Sequence, residues 1–347
     1  MRIAQVAPLY ERVPPVYYGG TERVVGHLTE ELVRRGHAVT LFASSDSRTR
    51  AKLVAPAGRA LRHATGVQDP IAPHALELLE VFEHAAAFDL IHCHVGYLAF
   101  PFARLARART LHTLHGRLDT AELGPLFRRF PELPLVSISD AQRTPLRHLG
   151  LNWAATIRHG LPLEEYAVSS GQGGYLAFLG RISPEKRPDR AIAVAKRVGL
   201  PLKIAAKVDP VDRIYFERDI RPLLDHPLVE FVGEIGGHEK IRFLGDAVAL
   251  LFPVDWPEPF GLVMIEAMAC GTPVIACRRG SVEEILIDGN TGFIVDDVDG
   301  LVAAVGKISA IDRARCRRHV EKHFSVARMV DDYEAAYHRI LASARAA

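Results

Sequence analysis

Short apolar runs alternate with stretches of helical spacing along this chain, and at Tyr175 the alternation begins again. Residues 3–7 form the first apolar run, followed by a proline- and glycine-bearing loop through Gly20. Residues 21–35 then place Val24, Val25, Leu28, Leu32 and Val33 at helical spacing, Gly36 stops that helix, and 38–43 (AVTLFA) supply the next strand. Further strands are expected at 90–93, 109–114 and 135–138, with a helix over 75–87. The second series opens with YLAFLGRI at 175–182 and a helix over 187–198, and it predicts strands at 202–206, 229–232, 250–253, 274–277 and 292–295. Short strands separated by helices imply parallel pairing through crossover connections, so the chain reads as α/β, with two doubly wound domains. The length of 347 residues exceeds what one core usually organises, which agrees.

The stretch HGLPLEEYAVSSGQGG at 159–174 is rich in glycine, serine and proline and marks the boundary, giving domains at 1–165 and 166–325. A last helix over 326–344 opens after Ser325 and carries Met329, Tyr333, Tyr337 and Ile340; this segment, 326–347, is expected to return to the first domain. Ligands of such sheets bind beyond the carboxyl ends of the strands, so two facing domains imply a cleft between them.

A net charge of +2 is too small to imply a nucleic-acid partner. Arginines cluster at Arg104, Arg107 and Arg109 and again at Arg313, Arg315, Arg317 and Arg318; both clusters read as solvated helix faces, with peripheral contact to an anionic membrane as the lesser reading. Cys93, Cys270, Cys277 and Cys316 show no paired spacing, which points to reduced thiols in a cytoplasmic protein. The opening MRIAQVAP reads as a buried strand rather than a signal peptide. No apolar run reaches the ~18 to 20 residues needed to cross a bilayer. Oligomeric state is not set by any of these features.

The run WPEPFGLVMIEAMACGTPVIA at 256–276 sets Glu258 and Glu266 into an almost wholly apolar context. A helix over 261–269 would be buried on nearly all sides, and an unpaired carboxylate there costs several kcal/mol or takes up a proton, so Glu266 must have a partner. Eight residues of continuous helix span about 12 Å, which disfavours a glycosidase-type acid/base pair. The loop before the helix leads instead into free backbone N–H groups at the positive end of the helix dipole, a place for an anion such as a diphosphate. The two glutamates then flank that anion as hydroxyl acceptors. Gly19 and Gly20, in the first strand-to-helix loop, likewise allow backbone to approach a phosphate, and the absence of a GxGxxG pattern disfavours nicotinamide binding.

The stretch EPFGLVMIEAMACGTPVIA resembles the Glu-x7-Glu donor-site motif of the family 4 retaining glycosyltransferases, whose fold is the GT-B arrangement of two Rossmann-like domains. The likeness continues through Gly280-Ser281-Val282-Glu283-Glu284 and Asp288-Gly289-Asn290-Thr291-Gly292, and includes YYGGTERVV at 17–25 and GRISPEK at 180–186. It covers nearly the whole chain and is strongest toward a bacterial subgroup that includes a transferase of avilamycin biosynthesis. The resemblance implies that Arg181 and Lys186 neutralise the donor diphosphate, that Glu266 binds the ribose and that Glu258 holds hydroxyls of the transferred sugar. Phe260, Gly261 and Leu262 would offer backbone N–H groups, joined by Gly19 and Gly20 on the phosphate side. His115, in TLHTLHG, matches a histidine near the reacting sugar, so the implied catalytic set is His115, Glu258, Arg181 and Lys186. Ser139 and Asp140 follow another strand and are expected on the acceptor side. The sequence departs from the family pattern at Arg187-Pro188, at His159-Gly160 and at Lys207, where relatives often carry glycine; Lys207 is an additional candidate phosphate contact.

The implied reaction moves a glycosyl group from a nucleoside diphosphate sugar, uridine preferred over guanosine, to a hydroxyl of an unidentified sugar, glycan or small-molecule acceptor. Configuration is retained by same-face substitution, and no cofactor or metal is required. Asp297 and Asp299 form a DxD, but they stand between a strand and a helix, where Asp299 reads as an N-cap. His92, His94 and His112 read as packed or strand-end histidines rather than metal ligands. Alternatives of the same shape are a sugar-nucleotide epimerase or hydrolase and a noncatalytic sugar-nucleotide-binding protein; a glycosidase or a pyridoxal-dependent phosphorylase is further off.

Overall fold

The computed structural model describes residues 1–343 and divides into two compact units, Met1–Gly160 together with the segment from Val326, and Leu161–Ser325. The first unit holds a 7-stranded sheet made of β1 (Arg2–Val6), β2 (Ala38–Phe42), β3 (Lys52–Val54), β4 (Leu90–Cys93), β5 (Thr110–Thr113), β6 (Leu135–Ser137) and β7 (Trp153–Thr156), in the order β3-β2-β1-β4-β5-β6-β7. Every pairing is parallel. The edge strands β3 and β7 are not among the predicted strands: KLV and WAAT are short and partly exposed, so neither shows a buried apolar run.

The second unit holds a 6-stranded parallel sheet of β8 (Leu176–Arg181), β9 (Leu202–Lys207), β10 (Val229–Gly233), β11 (Ala249–Phe252), β12 (Val274–Cys277) and β13 (Gly292–Val295), in the order β10-β9-β8-β11-β12-β13. In each sheet the strand order reverses beside its first strand, between β1 and β4 and between β8 and β11. At such a point neighbouring loops leave the carboxyl ends in opposite directions and open a crevice for ligand. The unit's entry and exit lie side by side, with Leu161 bridged to Ser325 and its N–H bonded to the Phe324 carbonyl at 2.8 Å.

Pairing register explains how the first sheet divides its faces. Gln5 stands opposite His92, and His92 opposite Leu111, so Gln5, His92, His94 and Thr113 fall on one face. Ala4, Val6, Ile91 and Cys93 fall on the other, in a core with Leu78, Val81 and Phe100. The polar face is covered by the C-terminal helix Val326–Ser343, through the buried rings of Tyr333 and Tyr337. That helix packs on the Gly20–Arg34 helix and is pinned by Arg35, which reaches Asp331 and Glu334 at 2.6 Å, and by His37 on Glu334. Its predicted end at Ala344 lies outside the described residues, as does the remainder of the segment to 347.

Candidate active site

The loop that follows β11 carries Glu258, and its course is dictated by two glycines. Gly261 adopts φ +79° before the helix Leu262–Ala269, and a Cβ there would stand 2.7 Å from Met264 Cε and 3.4 Å from Glu258 Cγ. Gly280, at φ +56°, passes so close that a Cβ would lie 2.3 Å from the Glu258 carbonyl oxygen. Ser281 then fastens the approach: its N–H donates to the Glu258 carbonyl at 3.0 Å and its hydroxyl to the Phe260 carbonyl at 2.9 Å. At the start of the loop Asp255 accepts from Arg190 at 2.6 Å and Arg187 at 3.1 Å and pairs with Arg279 at 3.2 Å. Burial would raise the Asp255 carboxyl, but these guanidiniums hold it below its ordinary range.

Glu258 is buried, and its Oε2 accepts from Lys186 Nζ and, at 3.0 Å, from Trp256 Nε1. The Lys186 ammonium also stands over the Trp256 ring at 5.1 Å and the Phe252 ring at 5.6 Å, within reach of a cation–π attraction. Arg181 ends β8, next to β11 in the sheet, among three carboxylates: Glu185 at 3.2 Å, Asp212 at 3.1 Å and Asp209 at 3.8 Å. Lys207, ending β9, pairs with Asp209 at 3.2 Å. Burial pushes the Asp212 carboxyl above its ordinary value, against the pull of Arg181. The acidic company of Arg181 and Lys207 is not foreseen by sequence, because Asp209 and Asp212 bracket a single 3-10 turn, Pro210–Asp212, with no motif of its own.

Glu266 lies one turn into the Leu262–Ala269 helix and is buried. The partner that its burial demands is Lys240, whose ammonium donates to Oε1, with the Tyr166 hydroxyl at 3.3 Å. Sequence reasoning missed Lys240, yet its spacing to Phe243 and Leu244 in the Gly237–Asp246 helix puts it on the buried face. Phe260 is buried against Phe324, while Gly261 and Leu262 are partly exposed at the helix start, where first-turn N–H groups have no acceptor within the helix. Arg181, Lys186, Glu258, Phe260, Gly261, Leu262 and Glu266 therefore all belong to the second unit.

Gly19, Gly20 and His115 belong to the first unit. Gly19, at φ +138°, precedes the helix that Gly20 begins. Glu22, in the first turn of that helix, is buried, which raises its carboxyl to about 7. His115 follows β5, bonds to His94 through Nε2 at 2.9 Å and stacks on His159 at 5.3 Å. His92 and His94 are buried and hydrogen-bonded, and His112 bonds to Thr110 and packs edge-on to Phe100. Ser139 caps the helix Asp140–Arg143 through the Gln142 N–H at 3.0 Å, while Asp140 accepts from Thr156 at 2.9 Å. The DxD reading needs correction: the N-cap is Asp297, which accepts from the Gly300 N–H at 2.8 Å, and Asp299 lies in the first turn, paired with Arg197 at 2.6 Å. The helix begins one residue before Asp299, so only Asp297 stands where a cap can reach.

Residues 168–322 match the family described as glycosyl transferases group 1, and residues 18–165 match glycosyltransferase family 4. A glycogen synthase of Mycobacterium tuberculosis is 29% identical over 92% of this chain and 89% of its own. AviGT4, a glycosyltransferase involved in avilamycin A biosynthesis, superposes with a TM-score of 0.76 at 24% identity, covering 99% of this chain and 98% of that one. Anabaena HepE, solved in complex with UDP and glucose, gives a TM-score of 0.75 at 17% identity, covering 96% and 98%. Two matched families spanning both halves, and two parallel sheets with GT-B neighbours, give one conclusion: the chain belongs to the family 4 glycosyltransferases and is a glycosyltransferase of the GT-B fold.

Proposed function

We propose that the protein transfers a glycosyl group from a uridine diphosphate sugar to an acceptor hydroxyl, with retention of configuration and without a metal ion. One observation carries the reading: Lys186 and Glu258 are joined on the loops that leave neighbouring strands β8 and β11, just ahead of the Leu262–Ala269 helix. A cation, a hydroxyl acceptor and a helix start are thereby gathered at the sheet's reversal point, which suits a diphosphate attached to a sugar. Lys186, Arg181 and the N–H groups of Gly261 and Leu262 take the charge that builds on the departing diphosphate. Glu258 accepts from sugar hydroxyls and Glu266, paired with Lys240, from the ribose. In the first unit the Gly19-Gly20 backbone serves the phosphate and His115 a sugar or acceptor hydroxyl.

The bond between the anomeric carbon and the β-phosphate oxygen breaks, the acceptor oxygen bonds to that carbon on the same face, and the acceptor proton passes to the departing phosphate. Uridine is supported by the UDP and glucose bound to HepE. Metal independence is supported by the engagement of Asp297 as a cap and Asp299 with Arg197. Incubation of UDP-sugars with candidate acceptors, with product configuration read by NMR, tests the reaction; EDTA is expected to leave the rate unchanged. Lys186→Ala and Glu258→Ala are each expected to lower kcat/KM at least ~100-fold, the usual consequence of losing a group aimed at transition-state charge. Free sugar or an isomer formed from donor alone would assign a hydrolase or an epimerase instead.

A further inference from the structure

Seven side chains of the first unit form one continuous hydrogen-bond chain. His115 Nε2 lies 2.9 Å from His94 Nδ1, and His94 Nε2 lies 2.8 Å from Gln5 Oε1. Gln5 Nε2 is 3.1 Å from the Tyr337 hydroxyl, which is 2.8 Å from His92 Nδ1. His92 Nε2 is 2.7 Å from Thr113 Oγ1, itself 3.1 Å from the Tyr333 hydroxyl. All except His115 are buried side chains, and His115 is partly exposed.

Burial keeps the three imidazoles below their ordinary range, His115 at about 3, so at neutral pH each ring carries one N–H and one bare nitrogen. A line of such rings and hydroxyls can run in two polarities. Gln5 selects between them, because its donor and its acceptor are different atoms and no proton shift exchanges them. Its carbonyl faces His94 and its NH2 faces Tyr337. His94 must then donate from Nε2 and accept at Nδ1, so His115 donates from Nε2. In the other direction Tyr337 donates to His92, His92 to Thr113 and Thr113 to Tyr333. What is left over is His115 Nδ1, a buried atom with no hydrogen-bond partner among the described residues.

We propose that this chain holds His115 in the Nε2–H tautomer, making Nδ1 a hydrogen-bond acceptor offered to a ligand hydroxyl, with Gln5 and Tyr337 as positioning residues. The proposal rests on the reading of His115 as a ligand-binding group. Its consequence is a choice of chemistry: Nδ1 accepts a hydrogen bond from a hydroxyl and has no proton to donate to a phosphate oxygen. A sugar with fluorine in place of that hydroxyl, able to accept but not to donate, is rejected there.

Ring-nitrogen NMR of 15N-labelled protein reads the tautomer directly. In the wild type the His115 proton is expected on Nε2; in Gln5→Leu and Tyr337→Phe a second tautomer is expected, with kcat/KM about tenfold lower, equivalent to about 1.4 kcal/mol. A proton on Nδ1 in the wild type, or a single Nε2–H tautomer surviving in both variants, overturns the proposal. The wild-type measurement decides even if Gln5→Leu fails to fold, and Tyr337→Phe keeps the ring that packs on the sheet. Expected tautomers with unchanged kcat/KM would remove the ligand from Nδ1 and leave glycosyl transfer intact.

Discussion

Lys186 and Lys240 each neutralise a glutamate, but in surroundings that set different costs for losing them. The Lys186 side chain is 21% exposed, whereas those of Lys240 and Glu266 are 8% and 6% exposed. Lys240→Met strands a buried carboxylate and is expected to lower unfolding stability by about 3 kcal/mol, read from urea denaturation. Recovery of most of that loss in Lys240→Met/Glu266→Gln would assign it to the stranded charge. Glu77 presents the opposite case: both carboxyl oxygens are buried without a partner among the described residues, and burial raises its pKa well above the ordinary value. Its proton is therefore held more tightly in the folded chain than in the unfolded one. The stability this lends is full below the unfolded pKa and is lost as pH rises toward the folded value. Glu77→Gln should remove that decline, so the variant is expected to melt above the wild type at pH 8 and to lose the advantage near pH 4. The sequence states that Glu266 needs a partner because an apolar helix surrounds it. It does not name Lys240, since the pairing joins two helices whose approach depends on the packed sheet.

At the scale of elements, the central strands are legible because burial on both faces leaves short, mostly apolar runs, broken in the first sheet by Gln5, His92 and Thr113. The edge strands β3 and β7 have water on one side and leave no such run. Helix starts are legible only to a residue or so: Asp297 and Asp299 can each cap a helix, and the choice falls to the backbone that makes Val298 the first helical residue. The loop bearing Glu258 depends on an approach that no local pattern reveals, the passage of Gly280 against its backbone. Gly280→Ala places a Cβ where the Glu258 carbonyl stands and adds a left-handed alanine, a strain of about 1–3 kcal/mol. It is expected to displace Glu258 and lower transfer activity more than it lowers the melting temperature; equal activity in the variant and the wild type would show that the loop tolerates the shift.

For the whole molecule, the repeat of the strand–helix alternation announces two α/β units, while the return of the chain to the first of them is written in the aromatic spacing of Tyr333 and Tyr337 only once the polar face beneath is known. UDP at 100 times its Kd is expected to stabilise the unit that binds it by about 2.7 kcal/mol, seen as a rise in a calorimetric transition. No rise with UDP, GDP or their sugars would count against a nucleotide site in the second unit. The adjacency of Leu161 and Ser325 makes that unit a continuous insert in a discontinuous host. During synthesis the insert can therefore complete its sheet while the host still waits for its covering helix. Until residues beyond Ser325 emerge, Gln5, His92 and Thr113 stand uncovered and lack Tyr333 and Tyr337, so the tautomer proposed for His115 would be fixed last. A nascent chain stopped at Ser325 would hold every strand of both sheets, yet only the second unit would have its full set of covering elements.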